Sequence, residues 1–294
     1  MLMNTTGLLY FIEERQNIEQ KRALGLPPPW TEDRILGEWS FTCVRREHDR
    51  TSRWVAVNLR EPNRDNLDLF FLLTVAIFVN CIPTLEELGC LLPWDADHFR
   101  DVMKARAERG APLYGPAYRI RPDGRYPTTA EYQVIRVFTP LWRDRSWMRP
   151  RTGETLAGYC SRLSERHGFG GGFMAGQLIA AMKFAPPLNK AADWSTFVIS
   201  GPGSRRGLNR VFGHPPTRVW SSEAAWRVAF DQLRAAITPD LERMGLGDLH
   251  AQDLQSCLCE YDKYERVRLG EGKPRRRFQP SPNPLPGVMD EAAE

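Results

Sequence analysis

The sequence predicts a mainly α-helical fold with few short strands, and three observations carry that expectation. Apolar residues recur at helical spacing in Trp226, Ala229, Phe230, Leu233 and Ile237, and again in Leu254, Cys257, Leu258 and Tyr261. Residues suited to capping, Thr84, Thr155 and Ser222, stand ahead of helical runs. Only EYQVIRVF, from Glu131 to Phe138, reads as a strand.

In chain order, LPPPWTEDRIL (Leu26 to Leu36) and NLREPNRDNLD (Asn58 to Asp68) punctuate the first third, because proline fixes its own backbone angle and restricts its predecessor. The apolar run LFFLLTVAIFVNCI then reads as a buried helix. TLEELGCLLPW follows Pro83, with Thr84 as the expected cap and Glu86 and Glu87 in the first turn, where negative charge suits the helix dipole. DADHFRDVMKARAERG gives a further helix, stopped by Gly110. From 111 to 152 the pattern breaks into Pro, Gly, Tyr and Arg, and this stretch is expected to be an insertion. Thr155 opens TLAGYCSRLSERHG, and GFGGGF leads into FMAGQLIAAMKF, ended by Pro186 and Pro187. Residues 1–268 are expected to form one helical domain, and the Pro-rich 269–294 an unpacked tail.

A chain of 294 residues can bury a sizeable core, and its formal charge of +4 favours an anionic partner only mildly. The six cysteines form no CxxC pair, which suits a reducing cytoplasm. Cys257 and Cys259 form a CxC whose thiols would point about 200° apart on a helix, so no metal site is expected. The N-terminal stretch lacks a basic segment ahead of an apolar core, so no export signal is expected, and the most apolar run is short of the ~20 residues that span a bilayer. GxxxxGK[ST], HExxH and GxSxG are absent, and GFGGGF lacks the preceding apolar strand of a dinucleotide site.

Three segments are candidates for chemistry. In DWSTFVISGPGSRRGLNRVFG, Asp193 is expected to cap a short helix that the GPG turn stops, and a second helix to start near Ser204. Amides around such a turn can hold a phosphate, with Arg205, Arg206 and Arg210 as counter-charge. The structural alternative is a glycine cap between two packed helices. On the helix starting near His250, Asp253 and Glu260 share a face seven residues apart, opposite the apolar positions. Asp253 in the first turn is expected to stay ionised and able to accept a proton, or to serve only as an N-terminal helix charge. In FTCVRREHDRTSRWVAVN, Arg45, Arg46, Arg50 and Arg53 alternate with Glu47 and Asp49, a density suited to gripping pyrophosphate or forming a solvated charged face.

KRALGLPPPWTEDRIL, FTCVRREHDRTSRW, GGGFMAGQLIAAMKF, GPGSRRGLNRVFG and DLQSCLCEYDKYERVRLGEGKPRRR together resemble the alpha-glutamyl/putrescinyl thymine pyrophosphorylase family, which shares a helical domain with 5-hydroxymethyluracil DNA kinases. The resemblance runs from about Lys21 to Arg277. It implies a helical bundle like that of helix-hairpin-helix DNA glycosylases and a role in thymine hypermodification, mainly in bacterial viruses, in the host cytoplasm. The implied reaction displaces pyrophosphate from 5-pyrophosphoryloxymethyl-uracil in DNA with an amine, an amino acid or polyamine, and needs no cofactor. Glycosylase-like base excision, or a non-catalytic DNA-binding module partnering the kinase, are the alternatives. Carried over, Gly201, Gly203 and Ser204 fall at the hairpin holding the DNA backbone, beside Arg205, Arg206 and Arg210. Asp253 falls where glycosylases of that superfamily keep an acid, although the gap from the hairpin is longer here. Glu260 is the other candidate base, and Asp262 the reserve. Arg45, Arg46, Arg50 and Arg53 are expected to draw off pyrophosphate, and Asn80, Phe173 and Gln177 to line the base pocket.

Overall fold

The structure, a computed structural model, describes residues 3–118, 124–274 and 276–278. Its elements are α1 (Thr6–Ala23), α2 (Arg34–Glu38), α3 (Arg50–Val55), α4 (Leu69–Val79), α5 (Ile82–Leu88), α6 (Ala96–Glu108), α7 (Thr129–Tyr132), α8 (Thr139–Arg143), α9 (Arg145–Met148), α10 (Leu156–Ser164), α11 (Phe173–Met182), α12 (Pro202–Val211), α13 (Glu223–Arg243) and α14 (Ala251–Arg268), with short wide or tight turns between some of them. Among the described residues there is no strand, only an isolated antiparallel bridge between Trp39 and Arg277.

The fold is therefore mainly α, and the expected strand at Glu131–Phe138 is helical instead. Ala130, Tyr132, Gln133, Val134, Val137 and Phe138 are buried while Ile135 and Arg136 face outward. That is the period of a helix; a strand would have buried alternate positions. Thr155 and Ser222 cap α10 and α13 as expected. Thr84 does not cap: α5 begins earlier, and the Thr84 hydroxyl donates to Pro112 O at 3.1 Å. Asp193 starts no helix of its own either. It accepts hydrogen bonds from the Leu156 and Ala157 amides at the start of α10, at 2.7 and 2.9 Å, so a carboxylate distant in sequence fills the N-terminal capping role there.

Among the described residues the chain packs as two compact units, one holding the residues up to Asp49 with residues 195–278, the other Arg50–Trp194. In the first unit α14 lies in the middle, packed most closely on α12 and also against α1 and α2. The core joins Leu8, Phe11 and Ile12 of α1 to Leu208 and Val211 of α12, Trp226, Phe230, Leu233 and Ile237 of α13, and Leu254 and Leu258 of α14. Each such side chain contributes on the order of 1.5–3 kcal/mol on burial. Beyond α14, the backbone at 276–278 lies beside Glu38 to Ser40, with Ser40 N donating to Arg276 O at 3.2 Å and Phe278 N to Glu38 O at 2.8 Å. The rest of the expected tail, 279–294, lies outside the described residues.

The second unit is built on α4, buried along its whole length except at Ile77. Its Phe71 meets Trp94, Phe138 and Trp142 edge to face at 5.0 to 6.3 Å, geometry that aromatic quadrupoles favour. Part of the expected insertion supplies this core, since α7, α8 and α9 all fall between residues 111 and 152.

The α12–α14 contact depends on two glycines. A methyl group added at Gly207 would fall 2.1 Å from the Leu258 carbonyl oxygen, and one at Gly203 would fall 2.2 Å from Cys259 Sγ. Backbone cannot yield as a thiol can, so Gly207→Ala is expected to destabilise the protein by at least the ~1–3 kcal/mol typical of overpacking, despite alanine's better helix propensity, and Gly203→Ala by less. Thermal unfolding of the two variants checks the order; equal or raised Tm for Gly207→Ala would refute it.

Candidate functional site

The site most of the sequence candidates converge on lies along α14. His250 caps the helix: its Nδ1 accepts from the Asp253 amide at 3.2 Å, which leaves the proton on Nε2, 3.0 Å from Asp253 Oδ2. The second Asp253 oxygen accepts from the Arg46 amide at 3.0 Å. Two turns on, Glu260 accepts from the Thr42 amide at 3.1 Å and pairs with Lys263. The shared face predicted for Asp253 and Glu260 is thus real, but it is covered by residues 41–49 rather than open, and Asp253 is only 2 % exposed. Within that covering segment Asp49 accepts from the Cys43 amide at 2.8 Å. Desolvation pushes the Asp49 carboxyl up to about 7, opposed by the Cys43 hydrogen bond and Arg46 and reinforced by Glu260. Arg45 reaches Asp248 at 2.6 Å, just ahead of α14.

Asp262, on the α12 side of α14, is fully buried. Its two oxygens accept from Arg206 Nε at 2.7 Å and Arg210 Nε at 2.9 Å, and Arg266 Nε lies 3.4 Å away. Arg210 also binds Glu271, and Arg205 holds both Ser200 Oγ at 2.7 Å and Glu223 at 2.8 Å. One buried carboxylate therefore orients three guanidiniums, of which Arg206 and Arg266 remain about a third exposed. The GPG turn opens α12, and no helix precedes it, for residues 192–196 form turns. Gly201 N donates to Ser204 Oγ, Ser204 is buried, and the space beside Gly203 is taken by Cys259. The positive charge beside the turn is accordingly presented by the side chains of Arg205 and Arg206.

The remaining candidates belong to the second unit. Arg50 and Arg53 lie on α3, so the arginine run is divided between the units. Asn80 ends α4 in the left-handed conformation, and a methyl group at Gly115 would fall 1.9 Å from its carbonyl oxygen, so only glycine fits there. Three residues beyond Gly115, the Tyr118 ring meets that of Phe173 at 6.2 Å. Phe173 begins α11, and the buried Gln177 stands one turn further on the same face. Sequence reading overlooked Asp248, Arg266 and Glu271; Arg266 had a signal in its i,i+4 spacing from Asp262 on α14, whereas Asp248 and Glu271 meet Arg45 and Arg210 only once the chain is folded. Burial pushes both CxC thiols up, Cys259 to about 11, so neither is a ready thiolate. Among the described residues no group of three or more His, Cys, Asp or Glu could hold a metal ion, and no helix is long and apolar enough to cross a membrane.

Arginines ordered at the surface by a buried carboxylate, as Arg206 and Arg266 are by Asp262, have the geometry that suits phosphate contact. The chain belongs to the family of the 5-hmdU DNA kinase helical domain, whose family model matches residues 4–274. It is also similar to a 5-hmdU DNA kinase of Bacillus phage SP10, with 31% identity over 125 residues, 38% of this chain and 19% of that protein. The match thus spans about a fifth of that relative's length. No solved structure matches the chain.

Two outcomes follow from the electrostatics. Asp262→Asn leaves three guanidiniums without their shared anion, and breaking a buried pair costs on the order of 3–5 kcal/mol; its Tm is expected to fall further than that of Arg206→Ala, which leaves two cations in place, and the reverse order would contradict the assignment. Asp49 has its folded pKa raised above the unfolded value, so the folded state holds the extra proton and stability is lost as pH rises from about 4 to about 7. Asp49→Asn keeps an acceptor for the Cys43 amide without the charge. Its Tm relative to wild type is expected to climb across that window and level off above it, and a pH-independent difference would rule out the shift.

Proposed function

We propose that residues 1–268 act as one DNA-modification domain that displaces pyrophosphate from 5-pyrophosphoryloxymethyl-uracil in DNA with an amine, an amino acid or polyamine. The observation that carries this reading is the family match over nearly the whole chain, to a domain named for a kinase of 5-hydroxymethyl-deoxyuridine in DNA. A kinase of that kind is the proposed pathway partner, since it would supply the phosphorylated hydroxymethyl group. In the reaction the amine nitrogen bonds to the exocyclic methylene carbon, the carbon–oxygen bond breaks, and pyrophosphate departs with the electron pair. Glu260 is the foremost candidate to take the proton from the amine, because Asp253 and Asp262 are more deeply buried. Arg45 and Arg46, with Arg50 and Arg53, are proposed to stabilise the leaving group, and Arg205, Arg206 and Arg210 to hold the DNA backbone. Asn80, Phe173 and Gln177 are proposed to wall the pocket of the extruded base, where an aromatic ring and an amide can stack on and read a pyrimidine.

One observation favours a second reading. Asp253, Glu260 and Asp262 are each engaged by an internal cation or amide, as acids in a purely structural role would be, which suits a non-catalytic DNA-binding module that partners the kinase.

Mass spectrometry of nucleosides from DNA bearing 5-pyrophosphoryloxymethyl-uracil, incubated with the protein and a mixture of amino acids and polyamines, separates the readings. Substitution predicts an aminated thymine nucleoside and one released pyrophosphate per product, with Glu260→Gln slowing turnover on the order of 10²–10⁴-fold while DNA binding persists. Free base with an abasic site would instead indicate excision, and an unchanged nucleoside profile with DNA retained would leave the binding module.

A further inference from the structure

The second unit carries a basic and aromatic surface that the proposed reaction does not use. WRDRSWMRPR, residues 142–151, holds four arginines against one aspartate. It forms α8, α9 and the turn after them, and Arg143, Ser146, Trp147 and Arg151 are exposed.

The ring of Trp147 is fixed as well as exposed. Arg166 places its guanidinium carbon 4.6 Å from the ring centroid and Arg162 places its own at 5.3 Å. Both arginines are held in turn. Arg162 binds Glu154 through Nε at 3.0 Å and Nη2 at 2.7 Å, and donates to the carbonyls of Trp147 and Arg149. Arg166 binds Asp144 at 2.9 Å. A tryptophan that is 39% exposed and braced in this way has little rotamer freedom left to lose on binding.

Two residues further along the chain, Arg149 and Pro150 form one wall of a 260 Å³ groove, with Arg64, Asp65, Leu67 and Met182 among the other walls. A cavity of about 150 Å³ already holds a benzene ring, so the groove has room for a pyrimidine. Arg149 binds Asp68 through Nε at 2.8 Å and Nη2 at 3.0 Å, which leaves Nη1 with no hydrogen-bond partner among the described residues. Apolar walls with a few convergent polar groups suit a planar ligand, and the arginines beside them suit phosphate.

We infer that this surface binds an unstacked, single-stranded stretch of DNA, one base stacking on Trp147, its neighbour entering the groove, and the phosphates meeting Arg143 and Arg151. Stacking on an aromatic ring beside a basic track is the chemistry by which single strands are held without sequence preference, whereas a duplex keeps its base faces covered. The choice of DNA over RNA rests on the proposed function; the surface itself requires only a polyanion with free base faces.

The test is binding of a fluorescent unmodified oligothymidine, its RNA counterpart and a duplex of the same length, each across a salt series. No chemistry occurs on these probes, so failure of pyrophosphate displacement leaves the outcome untouched. Trp147→Ala is expected to weaken single-strand binding about 5- to 100-fold with little effect on the duplex. Arg143→Ala with Arg151→Ala, both on exposed side chains that leave the core intact, is expected to lower the salt slope by about 1.4, at ~0.7 per phosphate contact. Lys104→Ala on α6 is the control for general charge loss and should change neither. Wild-type protein that does not retain oligothymidine, tighter binding of the RNA probe, equal loss on duplex and single strand, or a Trp147→Ala variant of native Tm and unchanged affinity would each overturn the inference.

Discussion

The approach of α12 to α14 at Gly207 is the constraint on which the first unit depends. With Leu258 O so near Gly207, the two backbones are almost in contact, and every polar group between them must be satisfied within that narrow space. Asp262 sits there with no exposure, and its charge is tolerable only because Arg206, Arg210 and Arg266 surround it. The same close approach sets Arg206 and Arg210 of α12 against Asp262 of α14. Helix packing and arginine presentation are thus one arrangement: loosening the first would misplace the second.

The opposite side of α14 follows a different logic. Residues 41–49 lie along it with few backbone partners of their own, and carboxylates serve instead: Glu260 for Thr42, Asp49 for Cys43 and Asp253 for Arg46. Arg15 of α1 supplies the complementary half by donating to the carbonyls of Phe41 and Thr42. The cost of this burial falls on Asp49, whose carboxyl is pushed up to about 7 chiefly by desolvation, with a smaller contribution from Glu260.

Much of this organisation was legible in residue order. The stripe from Trp226 to Ile237, the caps Thr155 and Ser222, and the apolar α4 all carry local signals that the structure reproduces. The failures share a cause. EYQVIRVF has β-branched composition, yet its burial follows a helical period set by the aromatic residues it packs with. The acidic face of α14 is periodic in sequence, but periodicity cannot say whether water or residues 41–49 covers it. The glycines of GPG signal close approach in either reading; that α14 is what approaches is known only once α12 and α14 are docked.

The arginines separate into two kinds by which partner lies deeper. Arg60 and Arg106 are buried while their acids Glu61 and Glu87 are the exposed partners, and both donate to backbone carbonyls: Arg60 to Ala181, Arg106 to Pro83 and Pro112. These are braces, and their charge is spent inside. Around Asp262, Asp68 and Asp144 the order reverses: the carboxylate is the deeper member, and Arg206, Arg266, Arg145, Arg149 and Arg143 are the more exposed. An inner anion with outer cations aligns the guanidiniums while leaving their outward edges in water, where a phosphate can replace solvent without breaking the pair. A formal charge of +4 therefore understates how positive these surfaces are, because Asp262, Asp68 and Asp144 lie deeper than the arginines they orient.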